Sequence, residues 1–210
     1  MLIRRPDKPR SEEEWQDFLR THDFGQFIAP GAARRLPVVV PTHFVYEGGS
    51  SLLFHLARPN PVWAALDESP HGMLAVVGAY TYVTAEMNTG PEDSPEYGIP
   101  TSYYAAVQVS GRTELVEEPA ALAELLNVTL EHFEPGRSGH PVRPDNEYGK
   151  SLPAIRGVRL HIEDVRAKFK FGGNRRPEHR AAINEALRRR GRGLDLEAAE
   201  IQARRMGHGD

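Results

Sequence analysis

No cysteine occurs in the 210 residues, which excludes disulfides, thiolate nucleophiles and cysteine-based metal sites. Long hydrophobic runs are missing too, so no segment is long enough to span a bilayer. The opening Met1-Leu2-Ile3-Arg4-Arg5-Pro6 has neither the apolar core nor the small-residue cleavage site of a secretory signal, and the expected location is the cytoplasm. No HExxH occurs, and no two of the nine histidines stand at i, i+2 or i, i+4, so no metal site is expected. Walker A, GxGxxG and GxSxG patterns are absent as well. The carboxylate pairs Glu92-Asp93 and Glu117-Glu118 fall where turns and helix caps are expected, and solvation explains them.

What remains is an ordinary globular composition, 40% hydrophobic and 26% charged. The net charge of −3 conceals an asymmetry. Residues 1–149 hold 11 Lys/Arg against 21 Asp/Glu, whereas residues 150–192 hold 13 against 4. A basic third on an acidic body suits an anionic ligand or nucleic acid, and equally suits solvated basic faces.

Ser11 and Glu14 have capping-box spacing, and Trp15, Phe18 and Leu19 form an apolar stripe, so a helix is expected over 12–21. Strands are expected at 24–29, at 36–46 with Val38–Val40 buried on both faces, and at 51–57, the last two joined by a turn at Glu47–Ser50. Asn60 and Pro61 open a short helix. Strand residues follow at 73–77 and 80–84, then a polar surface excursion over 86–100. The clearest strand spans 103–115, where Ala105, Val107, Val109 and Leu115 alternate with polar residues. Pro119 opens a helix with Leu122, Leu125, Leu126, Leu130 and Phe133 at helical period.

The strand 155–171 contains a slip. Val158, Leu160 and Ile162 set one parity, and Val165, Ala167, Phe169 and Phe171 the other, so a bulge or bend is expected at Glu163-Asp164. Pro177 then opens a basic helix to about Arg190, and 194–206 reads as a weakly docked last helix. The element order lacks βαβ alternation. It predicts a mainly β (α+β) fold, an antiparallel barrel with peripheral helices, over residues 1–192, with a helical tail at 193–210.

Three segments carry candidate binding chemistry. In His55-Leu56-Ala57-Arg58-Pro59-Asn60-Pro61 a cationic fork precedes a helix start, as a phosphate site requires; an ordinary Asn cap beside an exposed Arg has the same residues. In Lys168–Pro177 two lysines share a strand face before Gly172-Gly173, and this also reads as a simple turn into a basic helix. Thr101-Ser102-Tyr103-Tyr104 offers aromatics to a planar ligand or to the core.

Together the segments Phe54–Trp63, Gly78–Thr84, Ile99–Gly111, Lys168–Phe171 and Asn174-Arg175 resemble the PaiB-like family of FMN-binding negative transcriptional regulators, over roughly residues 12–190. The resemblance implies an FMN-binding split β-barrel that pairs as a homodimer with the flavin at the interface. It implies that Arg58 and Asn60, beside His55, face the FMN phosphate. It also brings Lys168, Lys170, Asn174 and Arg175 near the same ligand or the interface, with Thr84, Ser102 and Tyr103 among the ligand-binding candidates. The chain departs from the family pattern at Thr84–Asn88, Ser102–Tyr104 and Gly172-Gly173, where aromatic and hydroxyl groups are exchanged. An FMN-dependent oxidoreductase is the first functional expectation, because the cofactor supplies the chemistry the motifs lack. A ligand-sensing regulator is the second; no recognised DNA-binding motif accompanies it, so nucleic acid would be held by charge alone. A barrel that has exchanged flavin for haem is the third.

Overall fold

The computed structural model describes residues 1–46, 48–90 and 98–207. Glu47 of the expected turn, residues 91–97 of the expected excursion and the last three residues lie outside the described residues. The elements are α1 (Glu12–Thr21), β1 (Phe24–Ala29), β2 (Val38–His43), β3 (Val45–Tyr46), β4 (Ser51–Ala57), α2 (Val62–Glu68), β5 (His71–Val83), β6 (Thr101–Val116), α3 (Pro119–Phe133), β7 (Ile155–Lys170), α4 (Pro177–Arg190) and α5 (Asp195–Gly207). The strands form a seven-stranded sheet in the order β2-β1-β5-β6-β7-β4-β3, and every pairing with a defined register is antiparallel. The fold is mainly β with several helices.

The chain divides into two compact units, and β5, β6 and β7 contribute residues to both. One unit comprises 16–76 and 108–165. Its core centres on Phe27, Phe44, Phe54, Leu52, Leu53, Leu74 and Leu160, with Phe27 and Phe54 ring centroids 4.8 Å apart. Leu122 and Ala123 of α3 pack on Val142 and Leu152. Glu118 caps α3 by accepting hydrogen bonds from the Ala120 and Ala121 N–H groups, which hold its carboxyl below the ordinary range.

The expected strand 36–46 is broken at Phe44 into β2 and β3, and Val39 is half exposed rather than buried on both faces. The reason is position. Among the described residues β2 is an edge strand paired with β1 alone, where Pro41, lacking an N–H, is tolerated.

The parity slip in β7 is real. Val158 and Leu160 are buried before it, Ala167 and Phe169 after it, and Glu163 and Asp164 are consecutive exposed residues between them. Close backbone approach accompanies the slip: a Cβ on Gly111 of β6 would lie 1.8 Å from the His161 carbonyl oxygen of β7. Gly111→Ala is therefore expected to cost about 3 kcal/mol by overpacking against backbone, lowering Tm by roughly 2–4 °C per kcal/mol in a thermal melt.

The other unit comprises 1–15, 77–107 and 166–210. Here Glu14, expected to reach the N–H of Ser11, bonds instead to the N–H of Arg10 at 2.7 Å and pairs through its other oxygen with Arg205. Helix α5 is docked through Asp195, Ala198, Ala199 and Gln202, all fully buried. Arg10 and Arg180 both donate to the Arg205 carbonyl, satisfying a carbonyl at the C-terminal end of α5 that has no partner within the helix.

Candidate functional site

Within this second unit, the start of β6, the end of β7, the turn after it and the first residues of the chain enclose a cleft of about 340 Å³. Lys168 and Lys170 stand two residues apart on one face of β7, as the strand period dictates. Lys170 Nζ donates to Thr101 Oγ1 at 2.7 Å. Lys168 Nζ donates to the Leu2 carbonyl at 2.9 Å, lies 3.7 Å from the Asp7 carboxylate and sits 5.4 Å from the Tyr104 ring centroid. Gly172, at φ +75°, turns the chain so that Asn174 and Arg175 also line the cleft. The side chains of Arg4 and Arg175 line it without a hydrogen-bond or ion-pair partner among the described residues. Four cations thus face a single carboxylate, and field lines converge on whatever anion enters.

Two polar atoms at the cleft are buried without a partner among the described residues: the Tyr103 hydroxyl and Asn88 Oδ1. Asn88 Nδ2 is used, donating to the Ile99 carbonyl. Tyr103 packs edge-on against Phe171, with centroids 5.9 Å apart. Burial pushes its hydroxyl up to about 12, against the pull of the Arg175 and Arg180 charges, so it keeps its proton at neutral pH.

Of the expected site residues, the structure gathers Tyr103, Lys168, Lys170, Asn174 and Arg175 into this cleft. Ser102, in the same unit, is exposed on the opposite parity of β6, and Thr84 Oγ1 accepts from the Met87 N–H at 3.3 Å. His55, Arg58 and Asn60 belong to the first unit, where each has a local environment or task. The Arg58 guanidinium donates to the Pro153 carbonyl at 2.7 Å, the Ile155 carbonyl at 3.2 Å and Glu117 at 3.4 Å. Asn60 Oδ1 accepts from the Val62 N–H at 3.0 Å, starting α2. Half-burial of His55 lowers its imidazole from the ordinary value and favours the neutral ring. Thr101, from the Thr101–Tyr104 candidate segment, also lines the cleft, whereas Arg4, Asp7 and Asn88 are cleft residues that nothing local in the sequence marks for this role. Among the described residues no cluster of three His, Asp or Glu side chains is arranged to hold a metal ion.

Residues 1–164 match the protein family described as "Putative FMN-binding domain". The chain belongs to that family. A relative from Bacillus subtilis (strain 168), "Protease synthase and sporulation protein PAI 2", is 25% identical over 180 residues, covering 83% of each chain. Among solved structures, the flavocytochrome Anf3 from Azotobacter vinelandii superposes with a TM-score of 0.60 at 22% identity, over 82% of this chain and 74% of that one. The FAD and heme binding protein from Mycobacterium smegmatis gives 0.60 at 22% identity, over 83% and 78%. These similarities establish the fold as the antiparallel split barrel of flavin-binding proteins. The family match ends before Lys168, so three of the four cleft cations, Lys168, Lys170 and Arg175, lie beyond the matched span and Arg4 lies within it.

The donor set fits the anionic end of FMN. Ammonium and guanidinium groups with a serviceable hydroxyl at Thr101 are what a phosphate monoester requires, and the cleft volume falls at the small end of ligand pockets, which run from about 300 to 1,000 Å³.

Proposed function

We propose that the protein is an FMN-dependent oxidoreductase of the cytoplasm, acting as a homodimer, with Lys170, Arg175, Lys168 and Arg4 receiving the FMN phosphate. The observation that supports this reading is the cleft with four cationic side chains and one carboxylate, in a chain of the FMN-binding family. When bound, FMN supplies hydride transfer. The protein's own residues bind and orient: Lys170 and Arg175 bond the phosphate, Lys168 adds charge while anchoring Leu2, and the Tyr103 and Phe171 rings exclude water from the floor. Residues 1–192 act as the flavin-binding domain. Pairing of two copies is supported by β5, which turns Val77, Tyr80 and Tyr82 outward, each more than half exposed.

Adding FMN to the purified protein is expected to produce a perturbed flavin spectrum with a Kd at or below the micromolar range, and sedimentation equilibrium to give twice the mass of one chain. A colourless protein that binds no FMN at micromolar concentration rejects the flavin reading.

A second reading, a ligand-sensing regulator without turnover, draws on the exposed Arg176, Arg188, Arg189 and Arg192 at the two ends of α4. These would give polyanion binding that weakens steeply as salt rises, so a salt-insensitive or absent gel shift removes it.

A further inference from the structure

Tyr103 presents a contradiction for the protein alone. Its side chain is 1% exposed, yet its hydroxyl has no hydrogen-bond partner among the described residues. A buried donor left unmade costs stability, and a phenylalanine would fill the same space without that cost. The surroundings bury the oxygen without bonding it. Gly172 approaches so closely that a Cβ there would lie 2.2 Å from the oxygen, and Gly172 itself lines the cleft. Any larger residue at 172 would stopper this point.

The second orphan has the complementary character. Asn88 Oδ1 is an acceptor, buried in the same cleft, with its amide oriented by the bond from Nδ2 to the Ile99 carbonyl. A ligand satisfying both must bring an acceptor for the phenol and a donor for the amide oxygen. The four cations require the acceptor to be anionic. A phosphate ester of a hydroxyl-bearing chain has both features.

Resting on the flavin reading of this cleft, we propose that the Tyr103 hydroxyl is a specificity-determining donor that bonds a phosphate oxygen of the ligand, while Asn88 Oδ1 accepts from a hydroxyl of the chain that carries the phosphate. The ligand class is a phosphorylated polyol. The phenol reads the phosphate as a neutral donor of fixed direction, which the flexible lysines do not provide. Its high pKa serves this role, because a phenolate beside a phosphate would repel it.

The test is Tyr103→Phe, titrated with FMN and with riboflavin, which lacks the phosphate, alongside thermal unfolding of the ligand-free proteins. The proposal expects FMN affinity to fall about tenfold or more, riboflavin affinity to stay within about twofold, and the ligand-free variant to melt at the native temperature or above it. Equal FMN affinity in the two proteins overturns it. So does an equal loss for FMN and riboflavin with a lowered melting temperature, the signature of a merely structural tyrosine. Should the native protein bind no FMN, the flavin reading fails separately. Calorimetric titration of the same pair with glycerol 3-phosphate then decides the hydroxyl's role, weaker binding by the variant supporting it and equal or absent binding by both overturning it.

Discussion

Replacing Lys170 by methionine and Arg175 by alanine together is expected to weaken FMN binding by about 100-fold or more, with little change in thermal stability. On the proposed function each removed group would make a charge-assisted hydrogen bond of about 1.5–3 kcal/mol to the phosphate. Two such bonds give at least about 3 kcal/mol, and every 1.4 kcal/mol is about tenfold. The pair is chosen because neither side chain carries much of the fold. Lys170 bonds only the Thr101 hydroxyl, and Arg175 has no hydrogen-bond or ion-pair partner for its side chain among the described residues. Lys168 is a poorer probe: it holds the Leu2 carbonyl and faces both Asp7 and the Tyr104 ring, so its loss would mix binding with packing. The double variant should also show a shallower dependence of FMN affinity on salt, since two fewer cations meet the ligand. Fluorescence titration at two ionic strengths measures both effects. Unchanged affinity would remove the phosphate from this cleft and return attention to the His55–Asn60 segment.

Local signals in the sequence translated well into elements. The Phe24–Ala29 and Ser51–Ala57 strands, the Glu12–Thr21 helix and the Pro177–Arg190 helix have their expected bounds, because each boundary is set by a nearby cap, proline or turn residue. The β7 slip was legible because side-chain parity is a property of the strand itself. Val38–Val40 departs from its expected burial for a tertiary reason. Three valines look the same on an edge strand and on a central one, and only pairing partners distinguish them.

The cleft divides along the same line. Lys168, Lys170, Asn174 and Arg175 lie within eight residues of each other, so strand geometry and one glycine turn suffice to bring them together. Arg4, Asp7 and Asn88 reach the same place from distant parts of the chain, and no local pattern announces that. Arg58 and Asn60 show the converse problem. A guanidinium bonding two backbone carbonyls and one bonding a phosphate are the same residue in the same strand-to-helix turn. The sequence leaves that choice open, and in the structure the backbone carbonyls, Glu117 and the α2 N-terminus engage both side chains.

Asp195→Asn is expected to destabilise the protein by about 2–4 kcal/mol, at or below the usual cost of breaking a buried ion pair, because the stranded Arg190 side chain keeps a quarter of its exposure. Asp195 is fully buried in the first turn of α5. Its carboxylate accepts from Arg190 Nε and Nη2, both at 2.7 Å, from the Arg192 N–H at 2.9 Å and from the Thr81 hydroxyl. Arg190 Nη2 also donates to the Tyr82 carbonyl at 2.9 Å, so one carboxylate ties the α4–α5 junction to β5. Asparagine keeps the shape but leaves Arg190 without its counter-charge, and its NH2 group faces donors. The same pair sets a pH dependence. Chiefly through the bond from Arg190, Asp195 is held at about 2 against an ordinary 3.8. A carboxyl depressed in the folded state stabilises above its unfolded pKa and loses that contribution as pH falls through the folded one. The native protein should therefore lose about 2 kcal/mol between pH 4 and pH 2 from this group, because each tenfold change in proton affinity is worth about 1.4 kcal/mol. Urea unfolding across that window should show a flatter profile for Asp195→Asn than for the native chain. Parallel profiles would mean that the Asp195 charge is not what holds the two helices. A further comparison separates charge from packing: Asp195→Leu combined with Arg190→Met should recover part of the loss, because neither charge is then left buried alone.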